Sequence, residues 1–439
     1  MERVETYCAV KTQIEKLFIE TTVCCAMHPK SLSIKDYTYY LPEDRIAKYP
    51  LPERDASKLL IYNNGKITED IYKNLDKYLP PHSLLVFNDT KVMEARILFQ
   101  KPTGGVIEIF CLEPDEQYSD IMEGMMQRSI VFWQCMIGGA SKWKHGQVLK
   151  KKIKTVLKEV SLEARYVDKK TDSFVIEFLW NDDSLSFAEV LHHAGAIPLP
   201  PYIKREADKS DAERYQTIYA HTEGSVAAPT AGLHFTAEIF KKIKAKNIQT
   251  DFLTLHVGAG TFKPVKSENL EGHQIHAEFI TISKKTIQNI LQHLSENIIP
   301  VGTTSLRTIE TIYWLGVKIG SGEKNNLTIA QWEPYDLNKN IPVEQALQTL
   351  LDFMNGKNLE RLITKTQLMI APSYQIKIAN ALITNFHQPQ STLLLLIAAL
   401  IGNDWRKVYD YALKNNFRFL SYGDGCLFWI NRSMPEQEK

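Results

Sequence analysis

Between about residues 95 and 181 the chain loses any helical period and breaks into short β-branched and aromatic runs. They are Val106–Cys111 (VIEIFC), Ile130–Ile137 (IVFWQCMI), Thr155–Val160, Ala164–Val167 and Ser173–Trp180 (SFVIEFLW), separated by Gly, Asp, Asn and Lys clusters. Short strands at such spacing, several of them alternating, predict a small barrel or sandwich. Lys150–Lys154 within this stretch reads as a solvated hairpin or as a basic face for nucleic acid.

On either side the pattern is different. Pro42, Pro50 and Pro52 forbid a long helix over 39–56, and Leu84–Phe87 is a strand ending in the turn Asn88–Asp89–Thr90. After Ser186 strands and helices alternate. Phe187–His193 is helical, Thr236 caps a helix through Lys246, and Phe252–Val257 and Ala277–Ile282 are strands. Lys284–Asn297 has helical periodicity, and Ile298–Val301 runs through Gly302–Thr303–Thr304 into a helix to about Leu315. Pro342 opens Val343–Phe353, and Ser391 caps Thr392–Ile401. Such alternation means helices layered on a sheet. The predicted fold class is α/β: a main mixed α/β domain (32–94 and 186–439) with an inserted small β-barrel domain (95–185). Residues 1–31, polar and weakly helical, form an N-terminal extension.

Composition narrows the classes. With 44% hydrophobic and 23% charged residues the 439-residue chain buries full cores, which excludes general disorder and a disulfide-stapled miniprotein. Its 52 Lys+Arg balance 51 Asp+Glu for a net charge of +1, so it does not coat DNA by bulk charge. The cysteines at 8, 24, 25, 111, 135 and 426 contain no CxxC pair and read as reduced thiols. The first 30 residues carry charges throughout and lack a signal peptide's apolar stretch. The longest apolar run, Leu393–Ile401, falls well short of the ~20 residues of a membrane helix. A soluble, cytoplasmic protein without membrane contact is expected.

Several constellations carry chemistry. Gly224–Thr236 (GSVAAPTAGLHFT) offers small residues for close ligand approach ahead of a helix, and is equally the composition of a tight buried crossover. Leu255–Phe262 (LHVGAGTF) runs a strand into Gly258 and Gly260, with His256 near the strand end where α/β sheets place ligands. A third glycine and a following helix are missing, so this is no dinucleotide fingerprint. His273, His276 and Glu278 mimic metal spacing but lack matched partners; a base or polar network suits them better, and no metal is expected. Val301–Glu310 (VGTTSLRTIE) sets Thr303 and Thr304 at a helix start with Arg307 one turn on, suited to an anion or to an ordinary capped turn. Ile383–Thr392 places Asn385 and His387 in a polar loop before an apolar helix. Tyr202, Lys204, Arg205, Arg214, Tyr215 and Gln216 mix aromatic and basic groups that suit RNA, although each alone is an ordinary surface residue.

Taken together, these stretches resemble the S-adenosylmethionine:tRNA ribosyltransferase-isomerase family of queuosine biosynthesis. The matching motifs include LPEDRIAKYPLPERDASKLL, FNDTKVMEARI, GSVAAPTAGLHFT, LHVGAGTF, VGTTSLRTIE, LITNFHQPQSTLLLLI and FLSYGDGCLF, in family order from about residue 34 to 430. The resemblance implies an α/β domain with an inserted small β-barrel, and a transfer reaction. The ribosyl part of S-adenosylmethionine moves onto 7-aminomethyl-7-deazaguanine at the tRNA wobble position, giving epoxyqueuosine and releasing adenine and methionine.

S-adenosylmethionine is then a co-substrate with no further cofactor, the tRNA anticodon loop is the partner, and a monomer is the default. Such chemistry needs a base beside the sulfonium, an acid for adenine and a pocket that excludes water. On that basis His234, His256 and Glu278 are expected as acid–base groups. Thr230, Gly232, Gly258, Gly260, Thr303, Thr304, Arg307, Asn385 and His387 are expected around S-adenosylmethionine, and Tyr202, Lys204, Arg205, Arg214, Tyr215 and Gln216 on the RNA. Departures from the family pattern fall at Ser373 and Asn380, for glycine and aspartate, and at Gln388 and Gln390, where a lysine is lost. A non-catalytic RNA-binding descendant would have shed the histidines, and His234, His256 and His387 all remain.

Overall fold

The computed structural model describes residues 28–144, 146–155, 158–171, 173–258 and 267–430. Most of the expected N-terminal extension lies outside these; Pro29–Ser31 forms a single helical turn on the fold.

A nine-stranded sheet forms the main layer. Its order is Arg361–Thr366, Glu278–Ser283, Gln249–Leu255, Leu84–Asn88, Ile298–Val301, Ala381–Asn385, Gly425–Trp429, Lys58–Asn63 and Lys66–Ile71. The four strands from Gln249–Leu255 to Ala381–Asn385 are parallel, and both flanks bring in antiparallel pairings. The central strands are buried along their whole length, as the apolar sequences LLVFN, IIPV and ALITN require of a sheet covered on both faces. Alternation sorts the side chains. Leu84 and Val86 pack with Leu306, Ile309 and Leu347 of the helices Thr303–Gly320 and Val343–Gly356. Leu85 and Phe87 face the other way, onto Phe235, Ile239 and Ile243. The mixed α/β class read from the sequence is the observed one.

The chain leaves this sheet after Asn88 through Thr90–Val92, which pairs in parallel with Thr222–Ser225, the returning segment. Between them lies a seven-stranded antiparallel sheet. Its order is Gly195–Ala196, Arg96–Gln100, Val106–Pro114, Ile130–Gly138, Phe174–Trp180, Glu159–Lys169 and Leu149–Lys154. It has its own core, with Ile97, Phe99, Trp133 and Phe178 packed on Phe187 and Val190 of the helix Phe187–Ala194. The sheet curls until Lys151 Nζ on one edge donates to Leu98 O near the other, at 3.0 Å. Its described ladders run edge to edge without joining the two edge strands, which makes it a half-barrel.

One local reading needs correction. Thr155–Val160 is not one strand: Thr155 and Lys158 bond each other between two strands, and only Glu159 and Val160 belong to one, the start of Glu159–Lys169. The preceding lysine run is the strand paired with it, as the solvated-hairpin reading has it. Leu149 and Ile153 point inward, while Lys150 and Lys152 pair with Glu163 and Glu159 across the hairpin. Those carboxylates neutralise the stripe that would otherwise have offered a basic face.

Ser373 stands at φ +84° and is solvent-exposed. A Cβ in that left-handed region costs about 1 kcal/mol, which glycine avoids. Ser373→Gly is expected to raise stability by about 0.5–1 kcal/mol, read as a higher urea midpoint at unchanged slope. A midpoint that stays or falls would contradict this.

Candidate active site

The carboxyl ends of the parallel strands converge on one region, where open α/β sheets place ligands. Asn88 ties three of them together. Its side chain bonds Leu255 N and Leu255 O at 3.0 Å each, and its Nδ2 donates to Thr304 Oγ1 at 3.2 Å.

A first cleft, with about 680 Å³ of empty space including its mouth, is lined by Tyr202, Ala228–Ala231, Val257, Gly302–Thr304, Thr384–Gln388 and Ser421, among others. Gly302 turns the strand into the helix at φ +91°. The helix Thr303–Gly320 then starts inside the cleft without a side-chain cap. Its first N–H groups and positive dipole end favour a negatively charged ligand group.

Behind this wall runs a polar chain. Thr230 Oγ1 donates to Asn385 Oδ1 at 3.0 Å, and Asn385 Nδ2 donates to His234 Nε2 at 3.2 Å. That leaves the His234 proton on Nδ1, 3.3 Å from Arg54 O. His234 stacks on Tyr72 at 4.6 Å, and burial pulls its pKa down to about 4, so it is neutral near pH 7. It lines neither large cleft and reaches the first through Asn385. His387 does line the first cleft, with Nε2 3.2 Å from Thr384 Oγ1, and burial lowers its pKa to about 3.

A second cleft of about 700 Å³ opens where the two sheets meet. Leu112, Glu113, Gln134 and Met136 form one wall; Gly224, His256–Gly258 and His276–Phe279 form the other. Val257 belongs to both clefts. The His256 main-chain N–H donates to Phe279 O at 3.0 Å, and its Nδ1 lies 3.4 Å from Thr90 Oγ1. Burial lowers its pKa to about 4 against the opposing charge of Asp120. Gly224, at φ +130°, leaves room for that ring, since a Cβ there would fall 2.7 Å from His256 Nδ1 and 2.6 Å from Ile121 Cγ2. Glu278 accepts the Gly258 N–H at 3.3 Å and forms a buried ion pair with Arg307, whose Nε donates to Leu368 O at 3.1 Å.

The structure thus gathers His256, Gly258 and Glu278 around the second cleft, and Thr230, Thr303, Thr304, Asn385 and His387 around the first. Arg307 stands behind Glu278 and lines neither. Gly232 is a packing position, where a Cβ would fall 1.9 Å from Tyr219 Oη. Gly260 lies outside the described residues. His273, His276 and Glu278 do not gather as ligands; among the described residues no three His, Cys, Asp or Glu side chains do.

The residues expected on RNA divide. Tyr202 lines the first cleft with its hydroxyl 2.6 Å from Ser421 Oγ, and Lys204 is exposed beside Glu43 at 3.3 Å. The side chains of the other four are engaged within the fold. Tyr215 is fully buried. Arg205 clasps Asp211 at 2.6 and 2.8 Å, Arg214 donates to Leu51 O and Pro52 O, and Gln216 bonds Val92 N and O at 3.0 and 2.6 Å. Sequence reasoning in turn missed Glu113 and Gln134 altogether; Asn88, Thr90 and Gly224 carried a signal only through the FNDT and GSVAAPTAGLHFT motifs.

The fold and site define a mixed α/β protein with two adjoining ligand clefts, one of them shared with an inserted antiparallel sheet. Residues 34–428 match the family model described as queuosine biosynthesis protein, and the chain belongs to that family. Curated relatives named S-adenosylmethionine:tRNA ribosyltransferase-isomerase include one from Thermotoga petrophila, 37% identical over 90% of this chain and 99% of its own length. Others are from Halothermothrix orenii, at 36% over the same shares, and a Sulfurihydrogenibium species, at 34%. The crystal structure of S-adenosylmethionine tRNA ribosyltransferase from Thermotoga maritima is 26% identical over 89% of this chain and 99% of that one, with a TM-score of 0.42.

Proposed function

We propose that this chain is an enzyme that transfers and isomerises the ribosyl moiety of S-adenosylmethionine onto 7-aminomethyl-7-deazaguanine at the tRNA wobble position. Epoxyqueuosine-tRNA, adenine and methionine are the products. Family membership and the name shared by full-length relatives support the reaction. The observation that carries it is the pair of clefts divided by Val257, one for each of two substrates, with a neutral imidazole and a buried carboxylate beside the division.

The chemistry follows from those groups. The sulfonium acidifies its neighbouring C–H, and a buried cation is favoured near the Glu278 carboxylate. His256, neutral, is in the form that accepts the proton. Its imidazolium, with a pKa near 4, is a strong acid that passes a proton on readily to departing adenine. Thr303, Thr304, Asn385 and His387 surround the body of S-adenosylmethionine in the first cleft, its sulfonium reaching past Val257 toward His256, with His234 holding Asn385 in orientation. Residues 95–185 act as an inserted barrel domain, 32–94 and 186–439 as the catalytic α/β domain, and 1–31 as an extension. Tyr202 and Lys204 sit on the anticodon-loop side of a cytoplasmic monomer. With a net charge of +1, binding rests on a confined patch and depends modestly on salt.

The test is incubation with S-adenosylmethionine and tRNA bearing the aminomethyl-deazaguanine base, followed by mass spectrometry. Adenine and epoxyqueuosine are expected in equal amounts, and absence of both sinks the proposal.

A further inference from the structure

The second cleft holds a carboxylate that the mechanism above does not use. Glu113 lines it half-buried, and among the described residues its side chain makes no hydrogen bond or ion pair. Burial pushes its carboxyl above the usual range, opposed by the charges of Lys365 and His276. An unpaired, partly desolvated carboxylate is costly to keep in a fold, and partners for it are expected from a ligand.

The backbone explains why it points there. The pairing of Val106–Pro114 with Ile130–Gly138 slips between Cys111 and Glu113, a β-bulge. Up to Cys111 the odd-numbered residues Ile107, Ile109 and Cys111 face the core of the second sheet; the extra residue reverses the alternation and turns Glu113 out toward the main sheet. Across the ladder Glu113 pairs directly with Gln134, so their Cβ atoms lie about 4.5–5.5 Å apart on one face. Ser173 Oγ donates to Gln134 Oε1 at 3.3 Å. That bond assigns the amide oxygen to Ser173 and leaves Gln134 Nε2 as a donor to the cleft. Met136 and Phe279 supply apolar walls, Phe279 with Lys365 Nζ 4.2 Å over its ring.

An acceptor with two oxygens beside a donor is the complement of one nucleobase edge. Guanine-type bases present N1–H and a 2-amino group as donors and O6 as an acceptor, whereas adenine presents the opposite order. We infer that Glu113 and Gln134 read the Watson–Crick edge of the acceptor base, Glu113 taking the N1 and 2-amino protons and Gln134 Nε2 donating to O6. An unstacked base is recognised in this way, by edge hydrogen bonds between flat apolar walls. The inference rests on the function proposed above and names the residues that select a guanine-type acceptor.

The experiment measures binding, not turnover. Two anticodon stem–loops are titrated into the full chain, one bearing 7-aminomethyl-7-deazaguanine and one its counterpart lacking the 2-amino group. Wild type is expected to prefer the first by about tenfold or more, and Glu113→Leu to bind the two within about twofold of each other. Gln134→Glu, which sets an acceptor against O6, is expected to weaken both RNAs and keep the preference. A wild type indifferent to the 2-amino group overturns the inference, as does Glu113→Leu with the preference intact. Should Glu113→Leu fail to fold, Gln134→Glu decides: unchanged affinity for both RNAs overturns the inference. Adenine release by wild type is a separate readout. Its absence alongside intact base discrimination removes the proposed reaction and leaves this assignment standing.

Discussion

His256→Ala is expected to lower adenine release from S-adenosylmethionine and modified tRNA by at least about a hundredfold, the span ascribed to a positioned general base. His256 is 7% exposed and touches the second cleft through a ring held by Thr90 and fitted against Gly224. It does not line the first cleft, so S-adenosylmethionine affinity should change by no more than about threefold. That split between turnover and binding separates a chemical role from a structural one. Free imidazole added to the alanine variant should restore part of the rate by occupying the vacated space. The reading fails if turnover is unchanged, or if it falls only as much as S-adenosylmethionine affinity does. Gly224→Ala, which drives a methyl onto the same ring, is expected to reproduce the loss in milder form.

Much of the architecture was legible because period and burial agree. The sheet core could be read from LLVFN, IIPV and ALITN, whose unbroken apolar character suits strands covered on both faces. The break near residue 95 was legible because alternation replaces that pattern. Closure of the second sheet was not, since it depends on how far Arg96–Gln100 and Leu149–Lys154 approach each other, and no local signal encodes that distance. The neutralisation of the lysine hairpin was not legible for a related reason: Glu159 and Glu163 act from the neighbouring strand. In the site, His256 and Glu278 were legible from motif position, but the wall opposite them was not. Glu113 and Gln134 meet His256 only through folding of the inserted sheet, and the bulge that aims Glu113 leaves no mark in the sequence. The basic residues at 205 and 214 looked available because their partners, Asp211 and the carbonyls of Leu51 and Pro52, are invisible to composition.

Arg307→Met is expected to destabilise the fold by about 3–5 kcal/mol, the cost of removing one partner of a buried ion pair. The Glu278 and Arg307 side chains are 5% and 10% exposed, so water cannot take over the lost partner and salt screens little of the effect. The bond from Gly258 N–H at 3.3 Å is weaker than the ion pair it accompanies. The arginine is no more comfortable alone, since its Nη2 already lacks a hydrogen-bond partner among the described residues. Glu278→Gln with Arg307→Met removes both charges at once and should be less destabilised than Arg307→Met alone, because two near-isosteric neutral groups need no compensation. Urea denaturation of the wild type, both single variants and the double variant gives the coupling directly. If Arg307→Met loses less than about 1 kcal/mol, Glu278 is not held as a buried carboxylate by Arg307. The same four proteins separate folding from chemistry. A double variant that recovers stability and still releases no adenine places the Glu278 carboxylate in the reaction, whereas recovery of both would confine the pair to the fold.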